Sequence, residues 1–302
     1  MARYFLIILL LSVLSVACTP AEDRLSRLQN DLDQFVADKD ADIGVAVIVD
    51  GVDTLSVNGD CRYPMMSVYK FPIAMAVAEK CRVRGLTFSD SVLVDPDIIV
   101  ADTYSPMLER YPSMLSESVV MTLDTLLVYA MQQSDNNASD ILLDWVDSPA
   151  AVDEYIKWIG CDSTDIVWSE ADMYADNMRS YDNSSTPLGM ACLVDAFDSQ
   201  FDDSLSMRLK NIMESCSTGS DRLAVPLVGT DAVIGHKTGT GFTLPDGRLM
   251  ALNDAGYVHL VDGTRYSIVV FVAGSVYSPA ETASIIASIS QIVYDNLVNP
   301  NR

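Results

Sequence analysis

"MMSVYKFPIA", Met65 to Ala74, decides how the rest of the chain is read. It opens an apolar run with a serine and a lysine three positions apart, Ser67 and Lys70. At 3.6 residues per turn such a pair shares one helical face, so the spacing predicts a helix over residues 67–84, stopped near Gly85. The serine hydroxyl and the lysine amine would then meet beside its N-terminus. A serine needs a neighbour to take its proton before it becomes a useful nucleophile. A Ser-x-x-Lys also arises about once by chance in a chain of this composition, so the company it keeps must decide.

Upstream, Leu25, Leu28, Leu32 and Phe35 recur at helical spacing over residues 23–35. "IGVAVIVDGVDTLSVNG", residues 43–59, then gives two β-rich runs around Asp50-Gly51, a hairpin signal. The middle of the chain is helical. "TLDTLLVYAMQQ" starts with a Thr122 cap and an apolar stripe, and further helices are predicted over 138–145, 150–159, 187–197 and 205–216. Strands return at 232–236, 248–260 and 265–273, before a closing helix over 279–297. Two strands near the front and three near the back predict an α+β fold. One antiparallel sheet is formed by both terminal regions with flanking helices, and an all-helical domain is inserted between them. Residues 161–185, "CDSTDIVWSEADMYADNMRSYDNSS", are polar and weakly periodic, which predicts a long irregular segment of functional interest.

Composition narrows the function. The 302 residues are 49% hydrophobic, and 42 acidic against 19 basic residues give a net charge of −23. Such a polyanion repels phosphate backbones, so no nucleic-acid partner is expected. The first residues carry one arginine, an apolar run from Tyr4 to Leu14 and small residues before Cys18, which predicts an export signal over 1–17. Ser15-Val16-Ala17 before Cys18 also fits a lipoprotein processing site, with membrane attachment through a lipidated Cys18. Cys61, Cys81, Cys161, Cys192 and Cys216 form no CxxC pair and are odd in number, so one at least is unpaired. With two histidines, no His-Glu-x-x-His, no EF-hand loop and no Gly-x-Gly-x-x-Gly, neither a metal nor a dinucleotide cofactor is expected.

Two further signals follow Ser67 in order. "QQSDNNASD" contains Ser134-Asp135-Asn136 directly after an apolar helix, and "IGHKTGTGF" contains Lys237-Thr238-Gly239 at the end of a predicted strand. Taken singly, the first reads as a helix cap and the second as a turn. With Ser67-x-x-Lys70 they make the three-motif signature of the class A serine β-lactamases, which this chain resembles from about residue 24 to 297. "YPMMSVYK", "QSDNNASD", "SEADMYADN", "STPLG" and "AVPL…HKTG" resemble the branch that contains the CfxA, PER and VEB enzymes.

The resemblance implies the serine β-lactamase/penicillin-binding fold. Residues 22–62 and 218–302 would form its α/β part and 63–217 its helical part, within a single catalytic unit over 18–302. It implies a monomeric, periplasm-facing hydrolase that opens β-lactams through an acyl-serine. Ser67 would be the nucleophile, Lys70 its neighbour, and the amides of Ser67 and Thr240 the oxyanion site. Ser134 would pass a proton towards the leaving nitrogen, and Asn136 would hold the substrate's side-chain amide and Lys70. Lys237, Thr238 and Gly239 would carry the site for the substrate carboxylate, supported by Arg222 from "STGSDRL", whose alternative is a surface ion pair. Tyr104, in "ADTYSPML", would stand at the cleft mouth or simply pack.

Glu170, in "WSEADMY", would activate the deacylating water from an omega loop over 161–185. Many members have an asparagine four residues later; this chain has Tyr174. A penicillin-binding D-Ala-D-Ala peptidase with the same motifs would lack that base and stall after acylation. A non-catalytic envelope lipoprotein would have lost motif residues, and none is lost. No Gly-x-Ser-x-Gly elbow accompanies His236 or His259, and both read as structural.

Overall fold

The computed structural model describes residues 20–200 and 202–298; the segment over 1–17 read as an export signal, and Cys18, lie outside the described residues. Helix α1 (Pro20–Ala37) leads into β1 (Asp42–Val49) and β2 (Asp53–Val57), joined at Asp50 and Gly51, which both take positive φ. After β3 (Tyr63–Pro64) and a 3-10 turn, Met66–Tyr69, comes α2 (Lys70–Arg84). Then follow β4 (Ser91–Val94), α3 (Pro106–Arg110), β5 (Val119–Thr122), α4 (Leu123–Gln132), α5 (Asn136–Trp145) and α6 (Pro149–Trp158). Residues 161–185 hold β6 (Thr164–Asp165), α7 (Glu170–Ala175) and β7 (Ser184–Ser185). Next come α8 (Pro187–Gln200) and α9 (Ser204–Glu214), and the chain closes through β8 (Val233–Thr240), β9 (Leu249–His259), β10 (Arg265–Ser275) and α10 (Pro279–Val298).

Both ends of the chain build the main sheet, in the order β2-β1-β10-β9-β8, with every pairing antiparallel. Strand alternation splits its side chains between two cores. On β1, Val45, Val47 and Val49 point to one core, while Ala46 and Ile48 point to the other. β10 does the same with Ile268, Val270 and Val272 against Val269 and Phe271. The first core is closed by the terminal helices through Leu28, Leu32, Ile286, Ile289 and Val293. The second runs from the sheet into the helical block, where α2 is buried on all sides from Lys70 to Ala78. A helix apolar all round belongs at a centre, and each fully buried Val, Leu or Ile contributes roughly 1.5–3 kcal/mol.

Two local expectations are corrected. The α-helix begins at Lys70 rather than Ser67, because residues 66–69 wind as a tighter 3-10 turn; its end at a left-handed Gly85 is as predicted. Lys237-Thr238-Gly239 is no turn but, as expected, the end of a strand: β8 runs past the predicted bound at 236 and takes the motif in up to Thr240, paired residue by residue with Ala255, Asp254, Asn253 and Leu252. The 161–185 segment is less irregular than its polarity suggests. It folds into short elements, two of them strands of two residues that join β3 in a small sheet.

Candidate active site

A cleft of about 460 Å³ opens between the exposed edge of β8 and the helical block. Ser67, Ser134, Asn136, Glu170, Thr238, Thr240, Tyr104 and Tyr174 all line it. Residues separated by as much as 173 positions in sequence (67 to 240) thus face one space.

The serine sits in the 3-10 turn that precedes α2, where first-turn amides have no partner within the helix. Met66, just before it, has φ of 48°, a left-handed geometry that costs a non-glycine residue about 1–3 kcal/mol and persists only where surroundings enforce it. Asn253 on β9 is one such restraint, donating to the carbonyls of Pro64 at 2.8 Å and Met65 at 3.0 Å. Gly239 is another. A Cβ there would lie 2.5 Å from the Met65 oxygen and 3.3 Å from the Ser67 nitrogen, so only glycine lets β8 run against the serine's own amide.

Lys70 is buried and its amine draws three segments together. It donates to the Ser134 carbonyl at 2.7 Å and to Asn136 Oδ1 at 2.7 Å, and pairs with Glu170 Oε1 at 3.0 Å. Ser67 Oγ is not among its hydrogen-bond partners among the described residues, so the expected direct pair is replaced by a shared neighbourhood. Ser134 is held left-handed, with φ of 60°, and its hydroxyl accepts from Lys237 Nζ at 2.9 Å. Asp135, not Ser134, caps α5. Its carboxylate accepts from Ala138 N, Met107 N and Ser105 Oγ, clamping the Tyr104 loop onto the motif. Asn136 adds a bond to Thr103 Oγ1 at 2.8 Å.

Lys237 is fully buried; burial first, and repulsion from Lys70 second, bring its amine down to about 7. Arg222 pairs with the exposed Asp221, Nε to Oδ1 at 3.7 Å, but its hydrogen bonds run inward. It is buried and donates to the carbonyls of Gly239 at 3.0 Å and Asn253 at 2.8 Å and to Thr240 Oγ1 at 2.7 Å, bracing β8 from behind. Tyr104 and Tyr174 are 59% and 50% exposed at the mouth. His236 is buried against Asp254 and His259 bonds Asp198 at 2.8 Å, so neither reaches the cleft lining.

Glu170 is the first residue of α7, capped by a reciprocal Ser169–Asp172 box. The sequence reading missed what fixes it. Asp140, buried on α5, accepts from Glu170 N at 2.7 Å and Ala171 N at 2.8 Å. Burial, and then the neighbouring Glu170 charge, push Asp140 up to about 7. Its signal was its place four residues after Asn136, on the same face of α5. Asn183 was missed as well; its side chain takes Val167 N and Trp168 N and returns a bond to Trp168 O, folding the loop ahead of Glu170. All five downstream cysteines are free thiols.

Residues 27–297 match the model of the beta-lactamase enzyme family. A beta-lactamase of Phocaeicola vulgatus is 35% identical over 90% of this chain and 85% of its own length. The extended-spectrum beta-lactamase PER-1 of Pseudomonas aeruginosa is 32% identical over 88% of this chain and 86% of its own. Among solved structures, a class A beta-lactamase from Bacteroides cellulosilyticus superposes with a TM-score of 0.85 at 34% identity, covering 91% of this chain and 98% of that one.

Proposed function

The chain belongs to the beta-lactamase enzyme family as a class A member that hydrolyses β-lactams and so confers resistance to them, and from that premise we propose how its residues divide the reaction. Ser67 Oγ attacks the lactam carbonyl while its proton leaves towards the Lys70–Glu170 pair. The oxyanion is held by the amides of Ser67 and Thr240, donors that contribute a few kcal/mol each. As the carbon–nitrogen bond breaks, Ser134 protonates the nitrogen and is resupplied through Lys237, whose amine already touches its hydroxyl. Lys237 and Thr238 bind the substrate carboxylate, with Gly239 allowing the approach and Arg222 holding Thr240 in place. Asn136 holds Lys70 and the substrate's side-chain amide; Tyr104 borders the entrance. Glu170 then takes a proton from the water that attacks the acyl-serine, which frees Ser67.

The observation that carries this reading is the Lys70 amine. It donates hydrogen bonds to Ser134 O and Asn136 Oδ1 and ion-pairs with Glu170 Oε1 at 3.0 Å, joining its own helix, the Ser-Asp-Asn motif and the Glu170 segment beside one serine. The catalytic unit is taken as residues 18–302, with its helical part over 63–217, acting as a monomer without a metal or cofactor. Export through the 1–17 signal, with Cys18 as a lipid attachment point on the periplasmic side, completes the proposal. A chromogenic cephalosporin tests it: the purified protein should turn over many equivalents linearly and Ser67→Ala none. A burst of one equivalent followed by a halt would overturn the deacylation half of the proposal.

A further inference from the structure

Three exposed valines crown one end of the main sheet, and a fourth lies on the connection leading to it. Val52 is 80% exposed in the β1–β2 turn, and Val261 is 75% exposed in the β9–β10 turn. Those turns are neighbours: Asp50 N donates to the Arg265 carbonyl at 2.8 Å, and Arg265 N donates to Asp50 Oδ1 at 3.0 Å. Val233 opens β8 opposite His259, the last residue of β9, and is also exposed. Val228, 78% exposed, lies between the 3-10 turn Val225–Leu227 and β8. Singly, such side chains are ordinary; several at the tips of one pole make an apolar contact surface.

Helix α1 begins at this same pole. It ends at Ala37, shortly before β1 starts at Asp42, so its C-terminus lies at the far end of the sheet and its N-terminus beside the valines. Gln29 fixes the level, bonding the carbonyl of Ser56 on β2 at 3.0 Å and its amide at 3.3 Å. From there Pro20 is about 13 Å back along the helix, and Asp53 about 10 Å back along the strand. The charge of Arg24 also reaches Asp262 in the β9–β10 turn. In the sequence only Thr19 separates Pro20 from Cys18, a reach of at most about 7 Å.

We propose that this pole rests on a phospholipid bilayer, with Cys18 as the tether and Val52, Val228, Val233 and Val261 seated among the headgroups. The inference rests on the reading of Cys18 as a lipid attachment point and deepens it: the tether holds the protein, and the valines decide how it is turned. A tether this short keeps the valines at the bilayer at high effective concentration. Contacts too weak to bind a free protein then suffice to orient a bound one.

Charge selects the occupant. The chain carries −23 overall, so a second copy of it, or an anionic headgroup, is repelled, and a zwitterionic lipid is not. Two of the carboxylates at the pole are engaged within their own turns, Asp50 by Arg265 N and Asp262 by Thr264 N. The orientation also leaves the cleft free. Thr240, on its lining, closes the other end of β8, about 23 Å from Val233 along the strand. The cleft thus opens away from the lipid, towards the water through which a β-lactam arrives.

The test is hydrogen exchange on the full chain, produced with its own 1–17 segment and reconstituted into phosphatidylethanolamine–phosphatidylcholine vesicles, with the mass of the N-terminal peptide read first. The comparison is the triple variant Val52→Asp, Val228→Asp, Val261→Asp, and a matching Val→Ser set guards against a turn that aspartate itself disturbs. Both variants should stay on the vesicles through Cys18 and hydrolyse β-lactams at the unchanged rate. Amides of residues 50–53 and 260–264 should exchange about tenfold more slowly in the unsubstituted chain than in either variant. Replacing part of the lipid with phosphatidylglycerol should weaken that protection. Equal exchange in all three proteins, with Cys18 lipidated, would overturn the docking while leaving the anchor in place. Protection that fades as the protein is diluted among vesicles would give the valines to a second copy and overturn it too. An unmodified Cys18 would remove the anchor itself, and the proposal with it.

Discussion

The two walls of the cleft are held in different ways. On one side β8 presents Thr238 and Thr240, with Lys237 and Gly239 buried between and behind them, from a strand paired with β9 along its whole length, braced by Arg222 and tied to the serine turn through Asn253 of β9. On the other side Glu170 stands on a helix of six residues, α7, within a segment whose strands are two residues long. There the positioning is done by side chains: Asp140 across the first two amides of α7, Asn183 around Trp168, and the Lys70 amine on the carboxylate. A wall built on a backbone ladder tolerates the loss of one side chain and pays in binding. A wall built on buried side chains loses geometry, and so chemistry.

Losing the nucleophile should exceed either wall: Ser67→Ala is expected to lower kcat by about 10⁵-fold or more, with no covalent adduct in intact-mass spectra. The walls should then separate. Asp140→Ala strips the acceptor from two amides, each worth roughly 1–3 kcal/mol when left unpaired. It should lower the unfolding midpoint and slow deacylation by roughly 100-fold, so that acyl-enzyme accumulates. Arg222→Ala, on the sheet wall, should instead raise KM for carboxylate-bearing substrates with kcat changed less. Equal kinetic signatures from these two variants would break the comparison.

The sheet wall also sets a pH dependence. Burial, and then Lys70, lower Lys237 to about 7, so the free enzyme loses that positive charge as pH rises through this range. Attraction for an anionic substrate should therefore be full well below pH 7, half lost near it and lost well above it. Measured against pH, kcat/KM should fall on the alkaline side before kcat does, because a bound carboxylate favours the ammonium. The smallest effect is expected from Tyr104→Ala: the ring is 59% exposed, and hydrolysis rates should stay within about threefold.

The same contrast explains what could be read from the sequence. The sheet of both termini was legible because β1, β9 and β10 are long apolar runs, and the order of three motifs named the family. The extension of β8 through Lys237–Thr240 was not, because a polar Lys-Thr-Gly-Thr has no apolar alternation; its burial comes from Arg222, Asn253 and the serine turn. The 3-10 start before Lys70 was hidden for a similar reason, since tertiary contacts with Gly239 and Asn253 set it rather than local propensity. Asp140 lay in a motif already singled out, yet its role depends on α7 arriving thirty residues later. Arg222 was expected to support the carboxylate site or to make a surface ion pair; that it is buried against Gly239, Asn253 and Thr240 while also pairing with Asp221 could be seen only in the structure.

The central claim is that Glu170, fixed by Lys70 and Asp140, is required for deacylation, whereas in capture of the substrate Lys70 can serve without it. Its most direct test is intact-mass spectrometry of Glu170→Ala during incubation with a cephalosporin, with the adduct located by peptide mapping. The account predicts a persistent mass increase of one opened β-lactam on Ser67, with turnover nearly stopped. Free turnover without a lasting adduct, or an adduct on any residue other than Ser67, would contradict it.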